Sequence, residues 1–310
     1  MLDISVVVPV YNEERSLVEL HDQICRVCEK NRLSFEVIYV DDCSTDRSFD
    51  ILSSIHKKDR RAKIIQFRKN FGKSEALAAG FSVAAGAMIV TMDGDLQDDP
   101  LEIPNLIKKL EEGYDLVSGW KRKRKDPITK KIPSWLWNRA ASMLTGVKIH
   151  DFNCGLKIYR REVVEVLHIY GELHRYIPAL AYWEGFRVSE IVVNHRPRKY
   201  GKSKYGVSRY VKGILDLITV LFLSRYTKRP LHVFGFIGLC SSLIGSGITL
   251  YLIILRIAKK TYLSNRPLLF IGVLLLILGI QFISIGLLGE MITRSIVKGQ
   301  HYSIRRRLGV

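Results

Sequence analysis

Two long stretches free of charge divide this 310-residue chain. "LHVFGFIGLCSSLIGSGITLYLIIL", Leu231 to Leu255, contains no Asp, Glu, Lys or Arg, and "LLFIGVLLLILGIQFISIGLLGEM", Leu268 to Met291, is apolar up to Glu290. At 1.5 Å per helical residue each crosses a hydrocarbon core of roughly 30 Å. Buried helices of soluble proteins are usually shorter and carry a polar face, so the pair predicts two transmembrane helices. Neither is N-terminal, which excludes a signal peptide for both. Two spans put both flanks on one side. Arg225, Lys228, Arg229, Arg294, Lys298, Arg305, Arg306 and Arg307 lie on that side, against Arg256, Lys259, Lys260 and Arg266 in the hairpin. The bias predicts a cytoplasmic main domain. Gly272, Gly279 and Gly286 recur every seven residues, and Gly238, Ser242 and Ser246 every four. Such stripes let helix backbones approach, within the hairpin or in a homo-oligomer. Gln281 reads as interhelical glue.

The first half alternates strand and helix patterns. "ISVVVPV", "SFEVIYV", "KIIQF", "AMIVTMD" and "YDLVSG" read as strands, with a helix over Glu13 to Lys30, a small-residue helix in "SEALAAGFSVAAG" and another opening at Pro100. Near-continuous apolar strands separated by helices predict an α/β domain with a mostly parallel sheet covered on both faces. "SWLWNRAASML" reads as helical, and "DFNCGLKIYRREVVEVL" as loop, strand and helix. Ligands of such sheets bind beyond the carboxyl ends of the strands. "PVYNEE", "DDCSTD" and "DGDLQDD" all fall there, after the first, second and fourth strands. Val211, Ile214, Leu215, Ile218, Leu221 and Phe222 then form an apolar stripe flanked by Arg and Lys, which predicts an interfacial helix. The chain accordingly divides into residues 1–205, an α/β domain; 206–229, a juxtamembrane helix; 230–292, two spans; and 293–310, a basic tail read as membrane-surface attraction.

The formal net charge is +18, yet Asp93, Asp95, Asp98 and Asp99 crowd into seven residues. Carboxylates so close repel one another, and a hard divalent cation compensates. Asp93, Asp95 and the amide of Gln97 are oxygen ligands suited to Mg²⁺ or Mn²⁺, with substrate phosphates completing the shell. On an extended segment the three share a face. Asp98 and Asp99, just before Pro100, read as a solvated turn that caps the next helix.

Other signals are weaker. The five cysteines have no disulfide pattern, and Cys25 and Cys28 sit as C-x-x-C inside a helix without a second pair at zinc spacing, so packed thiols are expected. "FGKS", Phe71 to Ser74, lacks the glycine of a phosphate-binding loop, since Phe67 stands in its place. A nucleic-acid partner would suit the charge, but the two spans explain it better, and none is expected.

"VVVPVYNEE", "VDDCSTD", "DGDLQDDP", "DFNCGLK" and "RKYGKSKYG", followed by two spans, together resemble the inverting family-2 glycosyltransferases of the GT-A nucleotide-sugar fold. More narrowly, the chain is similar to polyprenyl-phosphate glycosyltransferases along essentially its whole length. That resemblance implies metal-dependent transfer of a sugar from a nucleoside diphosphate donor (UDP- or GDP-linked) to the phosphate of an undecaprenyl or dolichyl lipid. Pro9, Tyr11, Glu13, Asp41, Asp42 and Asp93 would line the nucleotide-sugar pocket, and Asp93, Asp95 and Gln97 would hold the metal. Lys121, Lys131, Ser134, Arg198 and Ser203 would bind phosphates; Lys121 and Lys157 stand where relatives often have Arg, which loses the bidentate fork. Asp95 and Asp151 would be catalytic, Asp151 placing the acceptor or serving as base. Membrane lipids would receive the interfacial helix. A different lipid or polysaccharide acceptor, or a non-enzymatic scaffold that kept the fold, are the alternatives. "YWEGF" replaces the Q-x-x-R-W signature of processive polysaccharide synthases, and the intact acid loop speaks against a scaffold.

Overall fold

A computed structural model describes residues 2–122, 138–139, 141–167, 169–197, 199, 230–259, 267–295 and 304–308. The chain forms two compact units, Met1–Leu217 with Gln300–Val310, and Ile218–Gly299. The first runs β1 (Leu2–Val10), α1 (Leu17–Lys30), β2 (Phe35–Asp41), α2 (Ser48–Lys58), β3 (Ala62–Phe67), α3 (Lys73–Val83) and β4 (Gly86–Thr91). A 3-10 turn at Pro100–Glu102 leads into α4 (Ile103–Glu111) and β5 (Leu116–Trp120). Next come β6 (Lys157–Arg160), α5 (Arg161–Val166), α6 (Ile177–Trp183) and β7 (Val188–Val192). The second unit holds α7 (Pro230–Lys259) and α8 (Pro267–Ser295), and β8 (Ile304–Leu308) returns to the first.

All residues of β2 are buried, so both faces of the sheet need helices. On one face Leu17, Leu20, Ile24 and Val27 of α1, Leu52 of α2 and Leu106 of α4 pack with Ile4, Val6, Val37, Tyr39 and Ile64. The spacing of three and four residues along α1 is the stripe that a sheet-covering helix needs. On the other face α3 lies close enough that Gly80 meets Val7. The sheet order is β7-β5-β6-β4-β1-β2-β3-β8. β4, β1, β2 and β3 are parallel neighbours, while β6 is antiparallel to both β4 and β5. β2 lies on one side of β1 and β4 on the other, so the topological switch, where such sheets open a crevice, falls between β1 and β4.

In the α/β unit two features depart from the sequence reading. α1 begins at Leu17 rather than Glu13, because residues before it are bonded into a loop described below. Ile304–Leu308 is not a loose basic tail but a strand, antiparallel to β3 with Ile64 opposite Leu308 and Ile65 opposite Arg307. It satisfies backbone groups that β3 would otherwise leave open at the sheet edge.

Within the second unit, Leu231–Ala258 and Pro267–Gly289 are long and apolar enough to cross a membrane. Their seam is made of small residues. A Cβ added at Gly238 would lie 2.6 Å from the Gly279 carbonyl oxygen, and one at Gly245 would lie 2.7 Å from that of Gly272. Ser241 Oγ donates to the Leu275 carbonyl at 2.9 Å. The Gly272, Gly279 and Gly286 stripe is therefore the α7–α8 contact. On α7 the seam follows Gly238, Ser242 and Gly245, while Ser246 is exposed, because helices crossing at a shallow angle meet every 3.5 residues on average rather than every four. Gln281 is exposed too and lies outside this seam.

Candidate active site

Loops from four strand ends are tied to one another at the switch. After β1, Asn12 takes a left-handed backbone, φ 54°. Its Oδ1 accepts from the Thr45 N–H at 2.7 Å, and its own N–H donates to Ser44 Oγ at 2.9 Å. Ser16 Oγ donates to the Gly94 carbonyl at 2.6 Å, which joins the β1 loop to the acid loop after β4. Asp41, fully buried at the end of β2, accepts from the Ser44 N–H at 3.1 Å and Gln66 Nε2 at 3.2 Å. Asp42 accepts from the N–H groups of Phe71 at 2.7 Å and Gly72 at 2.9 Å, which fixes the loop after β3. Burial pushes the Asp42 carboxyl up to about 6, against the pull of those two amides and with help from Asp41 and Glu75.

Gly72, at φ 104°, turns the chain into α3 and brings Lys73 Nζ onto Asp93 Oδ1. Across from Lys73, a Cβ on Gly155 would lie 2.7 Å from the Asp93 carboxyl carbon, so glycine is needed for the loop before β6 to pass there. Thr91 Oγ1 holds that loop through the Gly155 carbonyl at 2.8 Å. Lys157 Nζ donates to the Cys154 carbonyl, and His174 Nδ1 lies 3.0 Å from Ser74 Oγ. Burial by itself pushes the Asp93 carboxyl up, but Lys73, Lys121 and Lys157 outweigh it and hold the group far below the usual range. Burial lowers the Lys121 ammonium, yet Asp98 and Asp93 raise it well above the ordinary lysine value. Lys157 stays lowered, because burial and Lys73 exceed the pull of Cys154, Asp151 and Asp93. Burial, Lys73, Arg175 and Lys157 depress His174 well below the ordinary value, so its imidazole is neutral at pH 7.

The acid loop is a turn, not an extended segment. Gly94 and Asp95 turn the chain, and Leu96 sits at φ 63°, a conformation that a leucine rarely adopts. Strand alternation therefore does not relate Asp93, Asp95 and Gln97, and this corrects the extended reading. All three remain partly exposed, and Asp95 Oδ1 accepts from the Gln97 N–H at 3.1 Å. Asp98 is not solvated either. It is 1% exposed, paired with Lys121 at 2.8 Å, and accepts from the Asp93 N–H at 3.0 Å. A turn that folds back on itself buries its third acid, Asp98, beneath the first. Asp99 does cap the following turn, accepting from the Leu101 N–H at 3.1 Å, and also pairs with Arg196 at 2.6 Å.

The carboxyl edge of the sheet thus carries Pro9 and Asp41 at the ends of β1 and β2, and Tyr11, Glu13, Asp42, Asp93, Asp95 and Gln97 on the loops that follow β1, β2 and β4. Lys121 joins them through Asp98. Asp151 is buried, accepts from the Asn153 N–H at 3.1 Å, and acts electrostatically on Lys157. Lys131, Ser134, Arg198 and Ser203 lie outside the described residues, as does the segment of the expected interfacial helix. Lys73, Gly155 and His174 escaped the sequence reading. "FGKS" carried a signal for Lys73, a glycine and then a lysine at a helix start, though not in a phosphate-binding loop.

Residues 5–167 match the model of glycosyl transferase family 2, and the chain belongs to that family. It is 40% identical over 302 residues to a dodecaprenyl-phosphate galacturonate synthase of Rhizobium johnstonii, covering 95% of this chain and 88% of that one. It is 36% identical over 293 residues to the undecaprenyl-phosphate 4-deoxy-4-formamido-L-arabinose transferase of Pseudomonas aeruginosa, covering 94% and 85%. Among solved structures, glucosyl-3-phosphoglycerate synthase of Mycobacterium tuberculosis, in complex with Mn²⁺ and UDP-glucose, superposes with TM-score 0.55 at 21% identity, covering 72% of this chain and 79% of that one. Mannosyl-3-phosphoglycerate synthase of Rubrobacter xylanophilus gives TM-score 0.58 at 14% identity, covering 71% and 74%. These structural likenesses speak for the GT-A-type fold alone.

Proposed function

We propose that the chain transfers a sugar from a nucleoside diphosphate donor to the phosphate of a membrane polyprenyl phosphate, with inversion at the anomeric carbon. The observation that carries this reading is Asp93, held ionised among Lys73, Lys121 and Lys157 at the switch point of a family-2 domain. The two relatives named for polyprenyl-phosphate chemistry support the acceptor, since each aligns over more than nine-tenths of this chain.

The loop residues suit a hard divalent ion. Mg²⁺ or Mn²⁺ takes one or two carboxylates together with substrate phosphates, and Asp93 and Asp95 are partly exposed oxygen donors next to the amide of Gln97. They would hold the ion, which would offset negative charge on the departing diphosphate. Lys73 and Lys121 add fixed positive charge to the same place. The loops bonded through Asn12, Asp41 and Asp42 would seat the nucleoside. An acceptor phosphate monoester is largely anionic at neutral pH, its second pKa being about 6, so it attacks without a strong base, and Asp151 would orient it. Direct displacement turns an α-linked donor into a β-linked product. Lys131, Ser134, Arg198 and Ser203 are assigned to phosphate binding by resemblance. The arginine and lysine bias supports a cytoplasmic α/β unit, with residues 206–229 at the lipid interface.

The deciding experiment is nucleoside-diphosphate release by the purified full chain, screened over UDP- and GDP-sugars, with polyprenyl phosphate and Mg²⁺ or Mn²⁺ added or withheld. Release that requires both lipid phosphate and metal supports the proposal. Release that ignores the lipid phosphate, or none from folded protein with any donor, overturns it.

A further inference from the structure

A cavity of about 560 Å³ lies between α1 and α2, and none of its lining residues belongs to the acid loop that carries Asp93. Three unlike donor atoms meet in its wall. His21 and Cys25 stand one helical turn apart on α1, and Asp59 caps the C-terminus of α2. His21 Nε2 lies 3.4 Å from Asp59 Oδ2. Cys25 Sγ lies 3.6 Å from His21 Nε2 and 3.7 Å from Asp59 Oδ2. For a tetrahedral ion with bonds of roughly 2.0–2.1 Å to nitrogen or oxygen and about 2.3 Å to sulfur, those edges are about 3.4 Å for N···O and about 3.6 Å for N···S and O···S. The triangle already has the size that such an ion requires.

The surroundings agree. His21 Nδ1 faces the buried Tyr39 hydroxyl at 3.1 Å, so an Nδ1–H bonded there leaves the Nε2 lone pair pointing at the other two donors. Asp59 is steadied by Arg61, whose Nε donates to Oδ1 at 3.0 Å and to Oδ2 at 3.1 Å, and whose Nη2 donates to Oδ2 at 2.8 Å. A carboxylate oxygen has more than one acceptor direction, so these bonds leave room for another partner. A thiol nucleophile is the competing use of a Cys, a His and an Asp. Here Cys25 and Asp59 both address Nε2, which leaves no relay across the ring. Burial, with Asp59 beside it, also pushes the metal-free Cys25 thiol up to about 12, the opposite of an activated nucleophile.

We propose that His21, Cys25 and Asp59 bind one zinc-class divalent ion that bridges α1 to α2, with its fourth position open to the cavity. The mixed nitrogen, sulfur and oxygen set selects a borderline-soft metal, unlike the oxygen donors of the acid loop. On binding, the Cys25 S–H bond breaks, the thiolate forms the metal–sulfur bond, and one proton leaves to solvent. The helix pair is thereby pinned from the side opposite α3.

The test uses full-length protein in detergent, stripped with chelator, dialysed and titrated with Co²⁺ and then Zn²⁺. One equivalent of Co²⁺ is expected to produce a thiolate-to-cobalt charge-transfer band, which Zn²⁺ then bleaches. The band should disappear in C25S and in H21Q, and persist in C28S and in D93N. Zn²⁺ should raise the Tm of the stripped wild type and leave that of C25S unmoved. Absence of the band in folded wild type overturns the proposal. So does a band that survives in folded C25S, or one lost in D93N but not in H21Q. A Co²⁺ ion held only by the acid loop gives no thiolate band and counts with those negative results.

Discussion

At Gly155 the α/β unit brings a backbone to where a Cβ would lie 2.7 Å from the Asp93 carboxyl carbon, and at Gly238 the helical hairpin brings one to where a Cβ would lie 2.6 Å from a carbonyl oxygen. The approach is equally close, but the reason differs. Around Gly155 it leaves an ionised carboxylate wedged among lysines, in a unit already held by a large apolar core of α1, α2 and α4 on the sheet. Around Gly238 there is little else, because the outer faces carry exposed Phe236, Leu243, Phe270 and Ile280, and apolar burial gives such helices no preference for each other over lipid. One glycine makes room for a charged cluster beside a large core, and the other is itself the contact between two helices. Substitutions at each should therefore be read by different instruments.

The largest effect is expected from Asp93→Asn, which removes the charge that organises three lysines. Steady-state sugar transfer should fall by roughly 10³-fold, on the scale of losing a principal electrostatic group, while the Tm stays near wild type; a fall under tenfold would remove Asp93 from the site. Lys73→Met should cost about 10²-fold in kcat by the same physics, with the loss only partly rescued by Lys73→Arg, since a guanidinium does not fit where a compact ammonium sits. Gly155→Ala pushes a methyl against the carboxylate, and an activity loss of about tenfold with intact circular dichroism is the outcome that keeps the comparison. Gly279→Leu overpacks the hairpin seam, costing about 1–3 kcal/mol, read as a lower Tm of the hairpin with nucleotide-donor affinity unchanged. Equal damage to donor affinity would show that the two units are not energetically separate.

The smallest effect is a pH slope. The folded state raises the Asp42 pKa from 3.8 to about 6, so it holds that proton more tightly than the unfolded chain. The contribution is present in full below pH 3.8 and is lost as pH rises through about 6. Asp59 has the opposite sign. Its bonds to Arg61 lower its pKa from 3.8 to about 2, so its stabilisation is present above 3.8 and is lost as pH falls toward 2. Chemical denaturation across this range should show Asp42→Asn flattening the decline between pH 4 and 6 while leaving the acid limb in place.

The order of β1 to β5 and their helices was legible because each central strand is an uninterrupted apolar run, a pattern that a parallel sheet enforces. The short β6 and β7 carry less of that pattern, and β8 carries none that distinguishes "IRRRL" from a basic tail. The convergence of three loops on the switch was also legible, since strand ends fix where loops begin. Their internal geometry was not. Leucine at position 96 gives no hint of a left-handed backbone, so Asp98 read as solvated when it is the partner of Lys121. Lys73 carries no local signal of its partner, because the acid it meets, Asp93, lies twenty residues on and after a different strand. His21 and Cys25 share a helix, but Asp59 comes from the next one, and no spacing rule within α1 includes it.

The pairing of β8 with β3 also sets an order of events in time. The strand that completes the sheet edge is synthesised after both long apolar helices, so β3, which ends at Phe67, waits with its outer backbone groups unpaired until Ile304–Leu308 has left the ribosome. During that interval the growing chain offers an open strand to any neighbour. A copy truncated after the hairpin would keep its acid loop and its two helices and still carry that opening permanently, so its first failing would be to stick to other copies rather than to lose its chemistry.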